Sequence, residues 1–109
     1  MNGFVDSIAH ILEFLTAVDD PDKYITAFGY NISLIKTIIN CADKLLKDSN
    51  DYNARANFCW ASSLALNDFS SISIGDGCWC VHSFGHAISA IDFRISHAQS
   101  LIPSMLAFY

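Results

Sequence analysis

A run of apolar residues spaced alternately three and four apart constrains the fold of this chain more than any other feature. The run starts at Ile25, ends at Leu46 and repeats with the period of one helix face: Ile25, Phe28, Ile32, Ile35, Ile39, Ala42 and Leu46. Such spacing predicts a long α-helix that buries this face. Asp20 and Pro21 supply a cap and a first turn before it, and two lysines near its other end suit the negative end of the helix dipole.

Four more segments carry helical spacing and are separated by polar turns: residues 3–16, 53–69, 79–90 and a last segment from 96 onward. Ser96 is a suitable cap for the last helix, and Pro103 is expected to kink or shorten it. Residues 70–77 break the pattern. Their alternation is compatible with a short strand, but Gly75 and Gly77 favour a loop. The predicted fold is all-α with about five helices.

The composition is unusually apolar for so short a chain. Apolar residues make up 52% of the 109 residues and charged residues only 16%. A domain of this size cannot hide so much apolar surface, so we expect an exposed apolar face that packs on another domain or subunit. The net charge of −5 argues against a nucleic-acid partner. Since no secretory leader and no uninterrupted apolar run of about 18 residues is evident, we expect no membrane span, a cytoplasmic location and reduced cysteines.

All four histidines fall into a pattern typical of a divided metal site. Asp6 and His10 are four residues apart on one predicted helix, and His82 and His86 repeat this spacing on another. Residues four apart rise about 6 Å and share a helix face, so each pair can reach a common ion. His97 stands at the start of the next helix, where a short turn can fold it back toward His82. Imidazoles with one carboxylate suit zinc or iron.

Each part of this pattern also has a purely structural interpretation. A D-x-x-x-H pair is often a solvated aspartate near a buried histidine, and Glu13 is either a solvated helix residue or a partner of a metal-bound histidine. Cys78 and Cys80 could join His82 and His86 in a structural zinc site. A C-x-C pair on a helix points in different directions, however, which favours thiols that are small core residues.

Four stretches of the chain, in order and over nearly its whole length, resemble the iron-containing (group III) alcohol dehydrogenases. They are the D-x-x-x-H-x-x-E segment, a helix with Arg-Ala-Asn and Trp-Ala, the H-x-x-x-H segment and a last segment around His97: residues 2–13, 51–67, 79–90 and 96–103. Three positions depart from the family pattern. Ala98 replaces a common glycine, Ser96 replaces a frequent proline and Gly85 replaces a frequent glutamate.

The resemblance implies a metal bound by Asp6, His10, His82 and His97. It also implies that His86 lies near the substrate and the nicotinamide rather than on the metal. In this family the ion is usually iron(II) and sometimes zinc. It polarises the oxygen of a small alcohol or aldehyde while hydride passes to or from NAD(P). His86 could relay the hydroxyl proton toward solvent.

The resemblance covers the family's all-helical metal domain only in part, over residues 1–109, and no G-x-G-x-x-G loop is present. We therefore expect the α/β cofactor domain to be absent and the chain to be inactive alone, unless a separately encoded nucleotide-binding domain is supplied. A homo-oligomer is the other partner that stays open. Two other functions stay open. One is a non-catalytic helical remnant or interaction module that binds metal, and the other is a small non-haem iron oxygenase.

Overall fold

The computed structural model describes residues 2–109. In this part of the chain five α-helices and one short 3-10 helix form, and no strand does: α1 (Asn2–Thr16), the 3-10 helix (Pro21–Tyr24), α2 (Ile25–Lys47), α3 (Tyr52–Ala65), α4 (Cys80–Ile91) and α5 (His97–Phe108). The predicted all-α fold is confirmed. None of the helices in residues 2–109 combines the length and the apolar character needed to cross a membrane.

Local signals set the starts of the 3-10 helix and of α5. Asp20 accepts a hydrogen bond from a backbone N–H of the 3-10 helix, and Pro21 is its first residue. The backbone N–H and the hydroxyl of Ser96 both donate to Gln99 Oε1, at 3.0 and 2.8 Å, which ties the start of α5. The expected shortening at Pro103 does not occur, because α5 continues past it to its end at residue 108.

Helix α1 lies between two helix pairs. Ile11 packs into one core with α2 and α3, formed by Ile11, Leu34, Ile38, Ala61 and Ala65. Ala9 packs into a second core with Val81 of α4 and Leu101 of α5. Positions two apart on a helix differ by about 200° in direction, so these neighbours face opposite sides. The face of α1 that carries Ala9 therefore looks toward α4 and α5.

The buried face of α2 lies one residue away from the predicted stripe, so the predicted register was wrong. The buried positions are Ala27, Asn31, Leu34, Ile38 and Cys41. In contrast, Ile25, Ile39 and Leu46 are 69%, 49% and 65% exposed. Two apolar faces lie side by side on this helix, and periodicity selected the one with the larger side chains. The exposed members now contribute to the exposed apolar surface that the composition predicted.

Asn31 is a fully buried polar residue of α2 that fixes the segment after α3. Its Nδ2 donates to Ala27 O at 3.0 Å and to Ser70 O at 2.8 Å. Ser70 is also fully buried, and its hydroxyl donates to Ala65 O at 2.9 Å. These bonds accompany the end of α3 at Ala65, earlier than predicted, and residues 70–77 form turns and bends rather than a strand.

Candidate metal centre

Asp6 Oδ1 lies within reach of three imidazole rings from three helices. His97 Nε2 is 3.3 Å from this oxygen, His82 Nε2 is 3.5 Å from it and His10 Nε2 is 3.7 Å from it. Asp6 and His10 share one face of α1, His82 lies in the first turn of α4 and His97 begins α5. The fold thus brings together all four side chains that the sequence singled out as ligands.

The spacing and the hydrogen bonding of these atoms fit a divalent ion. Donor atoms that are each about 2.1 Å from a tetrahedral ion lie about 3.4 Å from one another. Within residues 2–109, the buried atoms Asp6 Oδ1 and His82 Nε2 have no hydrogen-bond partner. Buried polar atoms are rarely left unpaired, because the lost hydration is costly. The tightest group is Asp6, His10 and His82, whose donor atoms lie within 4.8 Å of one another. His97 lies outside this group but close to Asp6 Oδ1, and its side chain is more exposed than those of His10 and His82.

The environment of His10 favours its neutral form. Burial lowers the pKa of His10, since desolvation disfavours the imidazolium, and the neighbouring His82 acts in the same direction. The carboxylates of Asp6 and Glu13 act in the opposite direction without reversing the effect. A neutral imidazole is the form that binds a metal.

Glu13 is the only glutamate of the chain, and it is fully buried. Its Oε2 contacts His82 Nδ1, and its Oε1 accepts a hydrogen bond of 2.6 Å from the backbone N–H of Val81. Of the two interpretations that the sequence left open, the solvated helix residue is therefore wrong. Glu13 contacts the histidine on the side away from Asp6.

Trp79 is a residue of this site that sequence reasoning missed. Its ring meets His10, His82 and Phe14 edge-on, with ring centroids 5.8, 5.7 and 5.1 Å apart. Trp79 takes a left-handed backbone conformation with φ 51°, and its Nε1 donates to Asp76 Oδ1 at 2.5 Å. The available signal was an aromatic residue directly before a helix whose first turn carries a histidine. That signal has no periodicity.

His86 lies beside the group around Asp6 rather than in it. It is exposed, and its ring stacks on that of His97 with centroids 4.9 Å apart and planes at 21°. The ring centroids of His86 and His82 are 6.3 Å apart. His86 thus lies next to one potential ligand and remains open to solvent.

The two cysteines of the C-x-C pair do not join the histidines. Cys80 Sγ donates to Cys78 O at 3.5 Å, and Cys78 Sγ lies 4.0 Å from Glu13 Oε1. Burial raises the pKa of the Cys78 thiol, which disfavours the thiolate that binds metals. Among residues 2–109 the metal-type group contains neither cysteine. The alternative of a structural zinc site gains no support.

Comparison with known proteins now identifies the relatives of this chain. The model of the Fe-containing alcohol dehydrogenase family, C-terminal, matches residues 1–108. The NADPH-dependent aldehyde reductase YqhD of Escherichia coli (strain K12) is 33% identical over 100 residues, which are 92% of this chain and 25% of that protein. NADH-dependent butanol dehydrogenase A of Clostridium acetobutylicum is 36% identical over 100 residues, 91% of this chain and 24% of that protein.

A probable NADH-dependent butanol dehydrogenase 1 of Bacillus subtilis (strain 168) is 32% identical over 103 residues, 91% of this chain and 24% of that protein. The chain thus spans about a quarter of the length of the curated relatives it matches. No solved structure gives a significant match. The resemblance seen in the sequence is confirmed, and the chain belongs to the iron-containing alcohol dehydrogenase family.

Proposed function

We propose that residues 1–109 are the metal-binding part of an NAD(P)-linked alcohol dehydrogenase or aldehyde reductase. In this proposal Asp6, His10, His82 and His97 bind Fe(II) or Zn(II). The observation that carries it is the position of Asp6 Oδ1, which is buried and 3.3 to 3.7 Å from three Nε2 atoms and has no hydrogen-bond partner among the described residues 2–109. Family membership and relatives named as aldehyde reductase and butanol dehydrogenases support the chemistry.

A bound divalent ion supplies Lewis acidity, which polarises the oxygen of a small alcohol or aldehyde. Asp6 contributes the single negative charge among the four ligands, so the site stays electrophilic. Trp79 lies edge-on against His10 and packs against the buried Phe14, so its ring covers part of His10. In this proposal His86 passes a hydroxyl proton to solvent, and its exposure and its stacking on His97 support that assignment.

We propose that the nicotinamide cofactor is bound outside these 109 residues. They contain no G-x-G-x-x-G loop, and the part of the chain that the structure describes forms no parallel sheet of the kind that binds dinucleotides. A separate nucleotide-binding domain is the partner we propose for the cofactor, and a second copy of the chain is the alternative partner for the exposed apolar surface. The 109-residue chain alone is then unable to oxidise NADH or NADPH with an aldehyde. A cytoplasmic location remains a prediction.

Metal titration of the purified chain tests the site. We expect calorimetry to show one tight ion per chain for Zn(II), and for Fe(II) under anaerobic conditions. The double variant Asp6→Ala, His82→Ala should lose this binding. A free metal-ion concentration of 100 times the Kd should also raise the free energy of unfolding of the wild type by about 2.7 kcal/mol, which is measured as a rise in Tm. Equal, weak binding by the wild type and the double variant contradicts the proposed site.

His86→Ala is the matched control, because it removes an imidazole beside the site without removing a proposed ligand. It should bind metal like the wild type. A loss equal to that of His97→Ala would place His86 among the ligands instead. Clear turnover of NAD(P)H with an aldehyde by the purified 109-residue chain would refute the part of the proposal that assigns the cofactor to another domain.

A further inference from the structure

We propose that Glu13 is a positioning residue, which aims His82 at the metal and anchors the start of α4. This inference rests on the proposed metal site. Its support is a contact on each carboxylate oxygen: Oε2 meets His82 Nδ1, and Oε1 accepts from Val81 N–H. Both oxygens of the Glu13 carboxylate are engaged by these contacts, so Glu13 would act on a bound ion through His82 rather than as a ligand.

The first contact selects the tautomer of His82. A neutral imidazole carries its proton on one nitrogen only, and the other nitrogen keeps the lone pair that binds a metal. Glu13 Oε2, as an acceptor, holds that proton on Nδ1. Nε2 is then free and lies 3.5 Å from Asp6 Oδ1. Carboxylates that orient metal-bound histidines in this way typically change metal affinity about 10- to 100-fold when they are removed.

The second contact fixes the backbone that carries His82. The first N–H groups of a helix have no acceptor within the helix, and Trp79, which precedes α4, provides no side-chain cap. Glu13 Oε1 takes that place from another helix, 2.6 Å from Val81 N and 3.4 Å from His82 N. A carboxylate also complements the positive end of the helix dipole. The backbone carbonyl of Glu13 accepts from Cys78 N–H at 3.1 Å, so the preceding loop is held to α1 as well.

The burial of Glu13 makes a chance contact a poor explanation. Its side chain is 0% exposed, and in the part of the chain that the structure describes His82 is the only basic side chain within 4.0 Å of its carboxylate oxygens. A buried carboxylate is costly unless hydrogen bonds and an opposite charge offset its lost hydration. If Glu13 orients His82, the desolvation of its buried carboxylate has a functional explanation.

The variant Glu13→Gln separates positioning from packing. Glutamine has nearly the same shape but only one acceptor oxygen, so it cannot accept from both His82 Nδ1–H and Val81 N–H. With Zn(II) and Co(II) as probes, we expect the affinity to fall about 10- to 100-fold. We also expect the visible spectrum of the Co(II) form to change, since the coordination of His82 changes. The control is Asn31→Ala, which disturbs another fully buried polar residue whose hydrogen bonds go to Ala27 and Ser70 rather than to a histidine, and which should lower Tm without changing metal affinity.

The outcomes are distinguishable. If Glu13→Gln binds both ions like the wild type with an unchanged Co(II) spectrum, the positioning function is wrong and the metal site stands. If the wild type itself binds neither ion, the proposed function fails and takes this inference with it. Should Glu13→Gln not fold, the metal-free wild type still decides: in alkaline buffer, ¹⁵N NMR showing the His82 proton on Nδ1 supports the inference, and a proton on Nε2 overturns it.

Discussion

Gly85 of α4 lies against Leu101 of α5 without room for a side chain between them. A Cβ placed on Gly85 would come within 2.8 Å of Leu101 Cδ2. Leu101 is fully buried, so its side chain has little freedom to give way. The same two helices carry His82 and His97, and the closeness of this contact therefore sets the distance between two proposed ligands.

Gly85→Ala should lower the free energy of unfolding by about 1–3 kcal/mol, because overpacking outweighs the gain in helix propensity. Urea unfolding followed by circular dichroism measures this. Gly29→Ala is the matched control: Gly29 lies in α2, and no atom of residues 2–109 outside its own helical turn comes within 4 Å of its added Cβ. That variant should be more stable than the wild type by about 0.5–1 kcal/mol. Two variants of equal stability would contradict the close contact.

Asn31→Ala should lower the free energy of unfolding by about 1–3 kcal/mol, since the buried Ser70 carbonyl loses its hydrogen bond. Amide exchange in the turn segment after α3 should accelerate with it, and thermal unfolding with hydrogen exchange measures both effects. Asn57→Ala is the control. Its Nδ2 donates to Asn53 O at 2.8 Å in the same i to i−4 pattern, but on an exposed surface. The free energy of unfolding of Asn57→Ala should differ from that of the wild type by no more than about 0.5 kcal/mol. An equal loss of stability in both variants would refute the anchoring of this segment by Asn31.

The helices could be predicted from the sequence because their causes are local. Apolar period, the cap at Asp20 and the Ser96–Gln99 pair act within one or two turns of chain. The register of α2 could not be predicted in this way. Its buried face is decided by α3, whose Ala61 and Ala65 pack with Leu34 and Ile38. Small residues of a partner helix leave no periodic mark on α2 itself.

The residues of the candidate metal site also differ in whether the sequence could predict them. The pair Asp6 and His10 has a spacing that geometry on one helix explains, so its members could be singled out from the sequence. The contacts of Glu13 and Trp79 depend on how the loop before α4 meets α1. No spacing within one segment encodes a contact between segments. Gly85 departs from the family's frequent glutamate, and in this chain a larger side chain at that position would meet Leu101 of the neighbouring helix.

Trp79 should report metal binding through its fluorescence. The ring centroid of Trp79 is 5.7 Å from that of His82. The other tryptophan, Trp60, lies on α3 and is 68% exposed. In the Trp60→Phe variant, titration with Co(II) should quench most of the remaining emission, because a paramagnetic ion at the proposed site lies beside the indole. In Trp79→Phe, the emission of Trp60 should change little over the same titration. Equal quenching in both variants would contradict a site next to Trp79.

Cys41 should be the least reactive thiol toward iodoacetamide, and Cys59 the most reactive. Burial raises the pKa of the Cys41 thiol, and the opposing effect of the nearby Lys44 is smaller. A pKa above the ordinary value means less thiolate at any given pH, and the thiolate is the nucleophile. Cys41 is also buried, whereas Cys59 is exposed. Peptide mass spectrometry at neutral pH should therefore find Cys59 alkylated first, and the difference should vanish in denaturant. Alkylation of Cys41 as fast as Cys59 in the folded protein would contradict the buried face of α2.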